Sequence, residues 1–282
     1  LHLSFSRARV HLTGLEICRK IREKPSQEVK VAKHRPSRPQ MNAYVETEAL
    51  REEEGADSAP GTQVLNTVTN VVLARHSTRA FLSSVVPRKL IEEVLEVSQR
   101  APSNSNLQPW RVIVVSETAL RDLSAALLQA VNSGIKPNTE PIPEGYQHYR
   151  SDLGHLVYGP EGYGIPRSDR DGWFKAQSRN YTFFDAPVAI ILCMDKSLAQ
   201  VDVLSAGMYL QTLCLLFAER GVSTCAEASI AGYSEVVKKE LELEDNLMVL
   251  VGVALGYEDE GNRLNKLKVK RDAWKQHVKF RV

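Results

Sequence analysis

"RHSTRAF" (75–81) sets two guanidiniums, an imidazole and two hydroxyls side by side, from Arg75 to Arg79, ahead of the apolar pair Ala80–Phe81. Arginine offers a planar fork of donors that suits phosphate or carboxylate, and Ser77 and Thr78 add neutral donors beside it. The stretch therefore reads as an anion site, or else as a polar helix end whose charges are solvated. Its surroundings separate the two readings.

Upstream, "VLNTVTNVVLARH" (64–76) carries apolar residues at 64, 65, 68, 71, 72 and 73, a helical stripe that predicts a helix delivering Arg75 at its C-terminal end. Downstream, Pro87 opens "PRKLIEEVLEVSQRA" (87–101), with Leu90, Ile91, Val94, Leu95 and Ser98 on one helical face. "APSNSNLQP" (101–109) breaks that helix. "WRVIVVS" (110–116) follows as a strand rich in β-branched residues, and a helix is predicted over 117–131. Further on, "PVAIILCM" (187–194) and "NLMVLVGVALGY" (246–257) read as buried strands. Between them "VDVLSAGMYLQTLCLLFAERG" (201–221) is apolar nearly all round, which predicts a central buried helix ended by Gly221. These elements make an α+β domain over residues 61–282.

Two regions stand apart. Residues 132–174 hold seven glycines, five prolines and four tyrosines with little periodicity, and Trp173–Phe174 closes the stretch. A long irregular segment inside a compact domain is usually functional, here a lid over an apolar site. Residues 1–60 read as an extension outside the domain, either disordered or targeting. The first 40 carry ten Lys/Arg against three Asp/Glu, a net +7, while residues 41–282 carry −5. A basic leader poor in acids resembles a mitochondrial transit peptide; it reads equally as a disordered arm, or as sequence upstream of a start at Met41. The expected location is the cytoplasm, or the mitochondrion if the leader acts in targeting.

Composition narrows the chemistry. An acidic body argues against a nucleic-acid partner, which would require a basic face. Cys18, Cys193, Cys214 and Cys225 are few and far apart, with no CxxC, so buried thiols are expected rather than a disulfide frame or a zinc site. No metal is assigned. The longest apolar run is much shorter than the roughly 20 residues of a membrane span, so no membrane partner is expected. "GPEGYG" (159–164) lacks the spacing of a dinucleotide-binding glycine loop.

"PSNSNLQPW" (102–110) is the second unusual stretch. Its amides can both donate and accept, as the edge of a flat heterocycle requires; alternatively they satisfy only the local backbone. Taken together, "RHSTRAF" and "APSNSNLQPW" resemble the opening of the FMN-dependent nitroreductase family. "RNYTFFDAPVAIIL" (179–192), "GMYLQTLCLLFAERGVSTCAEAS" (207–229) and "VGVALGYEDEGNRLNKLKVKR" (251–271) resemble its later segments, in order, so that the likeness covers about residues 68–280. The resemblance implies a three-layer α-β-α fold with a central mixed sheet, an extended C-terminal tail and an obligate homodimer. It implies FMN as cofactor, NAD(P)H as reductant, and a small nitroaromatic or quinone as acceptor in a ping-pong cycle. It places Arg75, His76, Ser77 and Arg79 on the flavin phosphate and ribityl chain, with Arg271 and Lys268 joining from the tail. Pro102, Ser103, Asn104 and Asn106 would reach the flavin from the partner subunit. Glu227 and Ala228 would lie near its reactive edge, and Arg179 near its pyrimidine edge. Residues 132–174 follow no pattern of the family. A specialised relative, such as a reductive dehalogenase, a flavin-consuming enzyme or a heterocycle dehydrogenase, remains an alternative, as does a flavin binder with little turnover.

Overall fold

The computed structural model describes residues 67–282. The leader reading and Cys18 lie outside the described residues. Four strands, β1 (Trp110–Ser116), β2 (Val188–Asp195), β3 (Ser223–Glu227) and β4 (Leu247–Gly256), form one sheet in the order β1-β2-β4-β3. Every pairing between these strands is antiparallel. The mixed character expected of the sheet comes down to one parallel bridge, Ser77 to Thr224, on the outer edge of β3.

β2 shows why this is a three-layer fold. It is buried on both faces, from Val188 to Met194. Its alternate side chains point to opposite sides of the sheet. Val188, Ile190 and Leu192 join Val251, Val253 and Leu255 of β4 in one core, under α2 (Arg88–Ser98) and α6 (Gln200–Glu219). Ala189, Ile191 and Cys193 join Ala254 and Cys225 in the other, under α3 (Glu117–Asn132) and α8 (Ser234–Glu240). Leu120, Leu123, Leu127 and Ala130 are the buried stripe of α3. A fully buried Leu or Ile is worth roughly 1.5–3 kcal/mol, so two such layers account for a stable sheet without a disulfide. Cys193, Cys214 and Cys225 are buried free thiols.

Two sequence expectations need correction, and one gains detail. The helix over 201–221 is present as α6 and ends at Gly221 (φ 70°), but it is not buried all round. Tyr209, Leu213 and Phe217 face the sheet, while Val201, Val203 and Leu204 are exposed, Leu204 by 65%. Its length and mean hydropathy of 1.6 would suit a membrane span, yet one face is packed on the sheet, with Trp110 stacked on Tyr209 at 4.7 Å between ring centres. The stripe ahead of Arg75 is helical as α1 (Val68–Ala74), but only Val71 is buried; Val68 and Leu73 are 77% and 78% exposed. Periodicity locates a helix, not what covers it. Residues 132–174 are not irregular throughout: they contain α4 (Gln147–Tyr158) and α5 (Arg170–Ser178). Their apolar stripes are weak because they face a cleft rather than a core, with Val157 and Ala176 their only buried residues.

Candidate active site

After α1 the chain runs along the outer edge of β3. The Thr78 amide donates to the Thr224 carbonyl (3.1 Å), and the Leu82 amide donates to the Tyr257 carbonyl (2.8 Å). Asn265 locks this passage from the other side. Its Oδ1 accepts from the Arg79 amide (2.8 Å), and its Nδ2 donates to the carbonyls of Ala80 (2.8 Å) and Asp259 (3.0 Å). An extended backbone sends alternate side chains to opposite sides. Thr78 and Ala80 are buried accordingly, while Arg75, Ser77 and Arg79 stay partly open. His76 goes with the other set. Its Nε2 meets Glu258 Oε1 at 3.2 Å and its Nδ1 meets the Ala74 carbonyl at 2.9 Å. The hydrogen bond to Glu258 raises the imidazole's pKa above 6.5, so the ring holds its charge beside Arg75 more readily than a free histidine.

Glu227 ends β3 with 4% of its surface exposed, and neither carboxyl oxygen has a partner among the described residues. Burial pushes its pKa well above 4.5, and the Arg79 cation opposes that rise. Thr78 Oγ1 and Ser229 Oγ are also buried without partners. Each such group costs about 1–3 kcal/mol when unmatched, so Glu227 and Ser229 beside the Arg79 guanidinium fit a polar ligand laid across this edge, while Thr78 points to the other side of the passage. Gly252 faces Glu227 on β4; a Cβ there would stand 2.6 Å from Ile230 Cγ1, so only glycine lets this layer close.

A cleft of about 770 Å³ opens beside this cluster, with Arg79 and Ser229 on one side and α4 and α5 on the other. Aromatic rings join the two helices: Tyr158 lies 4.5 Å from Trp173 and 5.9 Å from Tyr163 between ring centres. Burial raises the phenol pKa of Tyr158 and Tyr163, and takes that of Tyr181 up to about 12. Phe183, Phe184 and Asp185 are consecutive left-handed residues (φ 52°, 53° and 62°), a conformation that costs of order 1–3 kcal/mol each and clusters at functional sites. Phe184 thereby reaches the cleft wall.

Five predicted site residues, Arg75, Ser77, Arg79, Glu227 and Ala228, share the edge of β3. The others do not join them directly. Arg179 braces the cleft from behind, donating to Asp185 Oδ2 (3.1 Å) and the Tyr163 hydroxyl (3.4 Å). Lys268 and Arg271 are exposed on the tail, where Arg271 donates to the carbonyls of Val269 and Lys270. Pro102, Ser103, Asn104 and Asn106 stand at the opposite corner of the sheet. Ser77, Thr224, Leu255, Val188 and Ser116 share one row across it, and Trp110 lies at the far end of β1. Four strand spacings across and six residues along amount to a separation on the order of 25 Å. No single small ligand bridges that gap within one chain.

That loop is strained where it is exposed: Ser105, Asn106 and Gln108 have φ of 49°, 56° and 47°. Short-range bonds shape it, among them the Gln108 amide to Ser103 Oγ (3.1 Å) and the Leu107 amide to the Asn104 carbonyl (2.9 Å), and the Asn104 amide ties it to Ser205 Oγ on α6 (3.1 Å). Sequence reasoning missed Asn265, Glu258 and Ser229. Nothing local marks Asn265, since the backbone it serves is 186 residues away; Ser229 lies within the quoted "STCAEAS" and could have been found there.

The Nitroreductase family profile matches residues 72–257. The 4-nitrobenzoate reductase of Pseudomonas putida is 36% identical over 209 residues, covering 72% of this chain and 90% of the relative. The chloronitrobenzene nitroreductase of Comamonas testosteroni is 30% identical over 224 residues, covering 76% and 96%. Among solved structures, the FMN-dependent nitroreductase NfnB of Mycobacterium smegmatis in complex with NADPH superposes with a TM-score of 0.71 at 30% identity, over 76% of this chain and 97% of that one.

Proposed function

Because the chain belongs to the nitroreductase family, we propose that it is an FMN-dependent oxidoreductase that reduces a small nitroaromatic or quinone with NAD(P)H in a ping-pong cycle, and that it works as a homodimer. The observation that carries this reading is the pair of buried, unpartnered groups on Glu227 and Ser229, next to Arg79 at the mouth of an aromatic cleft. Such a set fits a polar heterocycle better than it fits water-filled space.

When bound, FMN supplies the two-electron chemistry between nicotinamide and acceptor. The chain's own residues supply position and charge. Arg75 and Ser77 would hold the phosphate, with His76 adding positive charge from the other side of the strand and Lys268 and Arg271 closing from the tail. Arg79, Glu227, Ala228 and Ser229 would meet the polar edge of the ring system. Burial favours the neutral Glu227 carboxyl, which can then donate a hydrogen bond as well as accept one. Tyr158, Tyr163 and Trp173 exclude water and give an aromatic guest flat surfaces to lie on. Pro102, Ser103, Asn104 and Asn106 would come from the second subunit. Two features support a dimer: the distance between the loop and the phosphate group, and the exposed apolar residues of α1 and α6.

The full chain should purify yellow. NADPH or NADH should bleach it under anaerobic conditions, and a nitroaromatic should restore the colour; initial rates should give parallel double-reciprocal lines. Arg75→Ala should weaken FMN by about 10–100-fold, the loss of one charged hydrogen bond. A colourless chain that takes up no FMN, or a bound flavin that neither nicotinamide reduces, would refute the reading.

A further inference from the structure

We propose that the acceptor this cleft selects is an aromatic acid, and that Arg150 is the residue that holds its carboxylate. The inference rests on the nitroreductase reading above and names the substrate class of the same site.

α4 runs along the cleft, and Gln147, Arg150, Ser151, Gly154, His155 and Tyr158 are among the residues it gives to the wall. Since His155 is engaged with Arg167 at 2.6 Å, Arg150 is the helix's one permanent cation there. It makes no hydrogen bond or ion pair among the described residues, whereas other arginines on this chain are engaged: Arg179 with Asp185, Arg220 with Glu219, Arg88 with Glu92. Across the cleft stands Arg79. No Asp or Glu lines the space between them. Several carboxyls of the flanking elements are committed elsewhere. Asp185 is paired with Arg179, Asp169 caps α5 through the Gly172 amide, Asp272 accepts from Tyr149 and His277, and burial favours the neutral form of Glu227.

Tyr158 reports the resulting field. Both Arg79 and Arg150 pull its phenol pKa down, against the larger upward push of desolvation, so both cations act on the same part of the cleft. With Arg79 taken by the flavin, the unpaired Arg150 guanidinium facing a wall of Tyr158, Tyr163 and Trp173 complements a flat ring that carries a negative charge. The carboxylate is a handle: it is bound and not transformed. Arginine suits that task because its fork meets both carboxylate oxygens. A cationic aromatic meets the opposite field and is disfavoured.

The test compares 4-nitrobenzoate with methyl 4-nitrobenzoate, which keeps the ring and nitro group but removes the charge. In the flavin-loaded wild type, kcat/KM should favour the acid by about tenfold or more, and Arg150→Gln should cost the acid on the order of 10–100-fold while leaving the ester unchanged. Arg150→Lys should recover part of the difference. Calorimetry with benzoate gives a readout without turnover: it should bind the wild type and bind Arg150→Gln at least about tenfold more weakly. Equal values for acid and ester in the wild type would overturn the inference, as would equal losses for both in Arg150→Gln, or no binding of benzoate. So would a raised KM for NADPH with the acid unaffected, which would assign Arg150 to the nicotinamide's phosphates. If benzoate binds through Arg150 but neither nitro compound is reduced, the anion site stands and the nitroreductase reading fails.

Discussion

The passage Arg75–Leu82 and the loop Pro102–Gln108 are both irregular, polar and rich in predicted site residues, but they are held in opposite ways. The first is bonded to β3 and to the end of β4 and is pinned by Asn265 from the far side, so its ties reach far along the chain. The second is exposed, carries three left-handed residues, and is held mostly by short-range bonds of its own, with the Asn104 amide to Ser205 Oγ as its long-range tie. One is complete within a single chain. The other has a shape that its own chain does not explain, which is what a surface preorganised for a second subunit would show. On the proposed dimer, the contrast teaches that half of this site would be finished by folding and the other half by assembly.

The sharpest way to break the contrast is to divide the lesions between subunits. Arg75→Ala and Asn106→Ala homodimers should each lose most flavin and activity, because both sites are damaged. A tagged heterodimer should recover about half of the wild-type value, one site being whole, if the sites are independent. A heterodimer no better than its parents would put both groups on the same chain. A smaller effect is expected from Asn265→Ala, which removes three buried hydrogen bonds and should destabilise the chain by on the order of 3 kcal/mol. Denaturant titration measures it, and FMN should restore part of the loss. If stability is unchanged, the passage is held by β3 alone.

The smallest effect concerns Glu227. A carboxyl whose pKa is higher in the folded state binds more protons there than in the unfolded chain, so stability falls as pH rises from about 4.5 upward. The slope is at most about 1.4 kcal/mol per pH unit for one proton. His76, whose pKa is also raised, adds a slope of the same sign as pH passes upward through its folded value. The informative quantity is thus the difference between wild type and Glu227→Gln in the flavin-free protein. The variant should show the flatter profile of melting temperature from pH 5 to 8. Identical profiles would mean that Glu227 is ionised in the fold.

Much of this arrangement was legible in the chain itself. Strands β1, β2 and β4 follow from runs of β-branched and aliphatic residues, and the helices from their spacing and from Gly221. Arg75, Ser77 and Arg79, singled out by composition and resemblance, and Glu227, singled out by resemblance, come together along one edge of β3. What sequence could not give was long-range and relational. Asn265 matters because of carbonyls far away along the chain, and no local pattern encodes that. His76 looks like its basic neighbours in one dimension, but strand alternation turns it toward Glu258. The α4 and α5 helices were obscured because a helix that lines a cleft needs no strong apolar stripe. The opposite error occurred at α6, whose apolar residues all round suggested full burial by its own chain.

The exposed side of α6 bears on more than geometry. A groove of about 850 Å³ runs along it, lined by Val201, Val203, Leu204, Gly207 and Met208. If a second copy covers that groove, the free energy of association becomes part of the free energy of folding, and both obey mass action. Melting temperature and flavin occupancy would then rise together with protein concentration. Dilution, rather than heat or acid, would be the mildest way to empty the site.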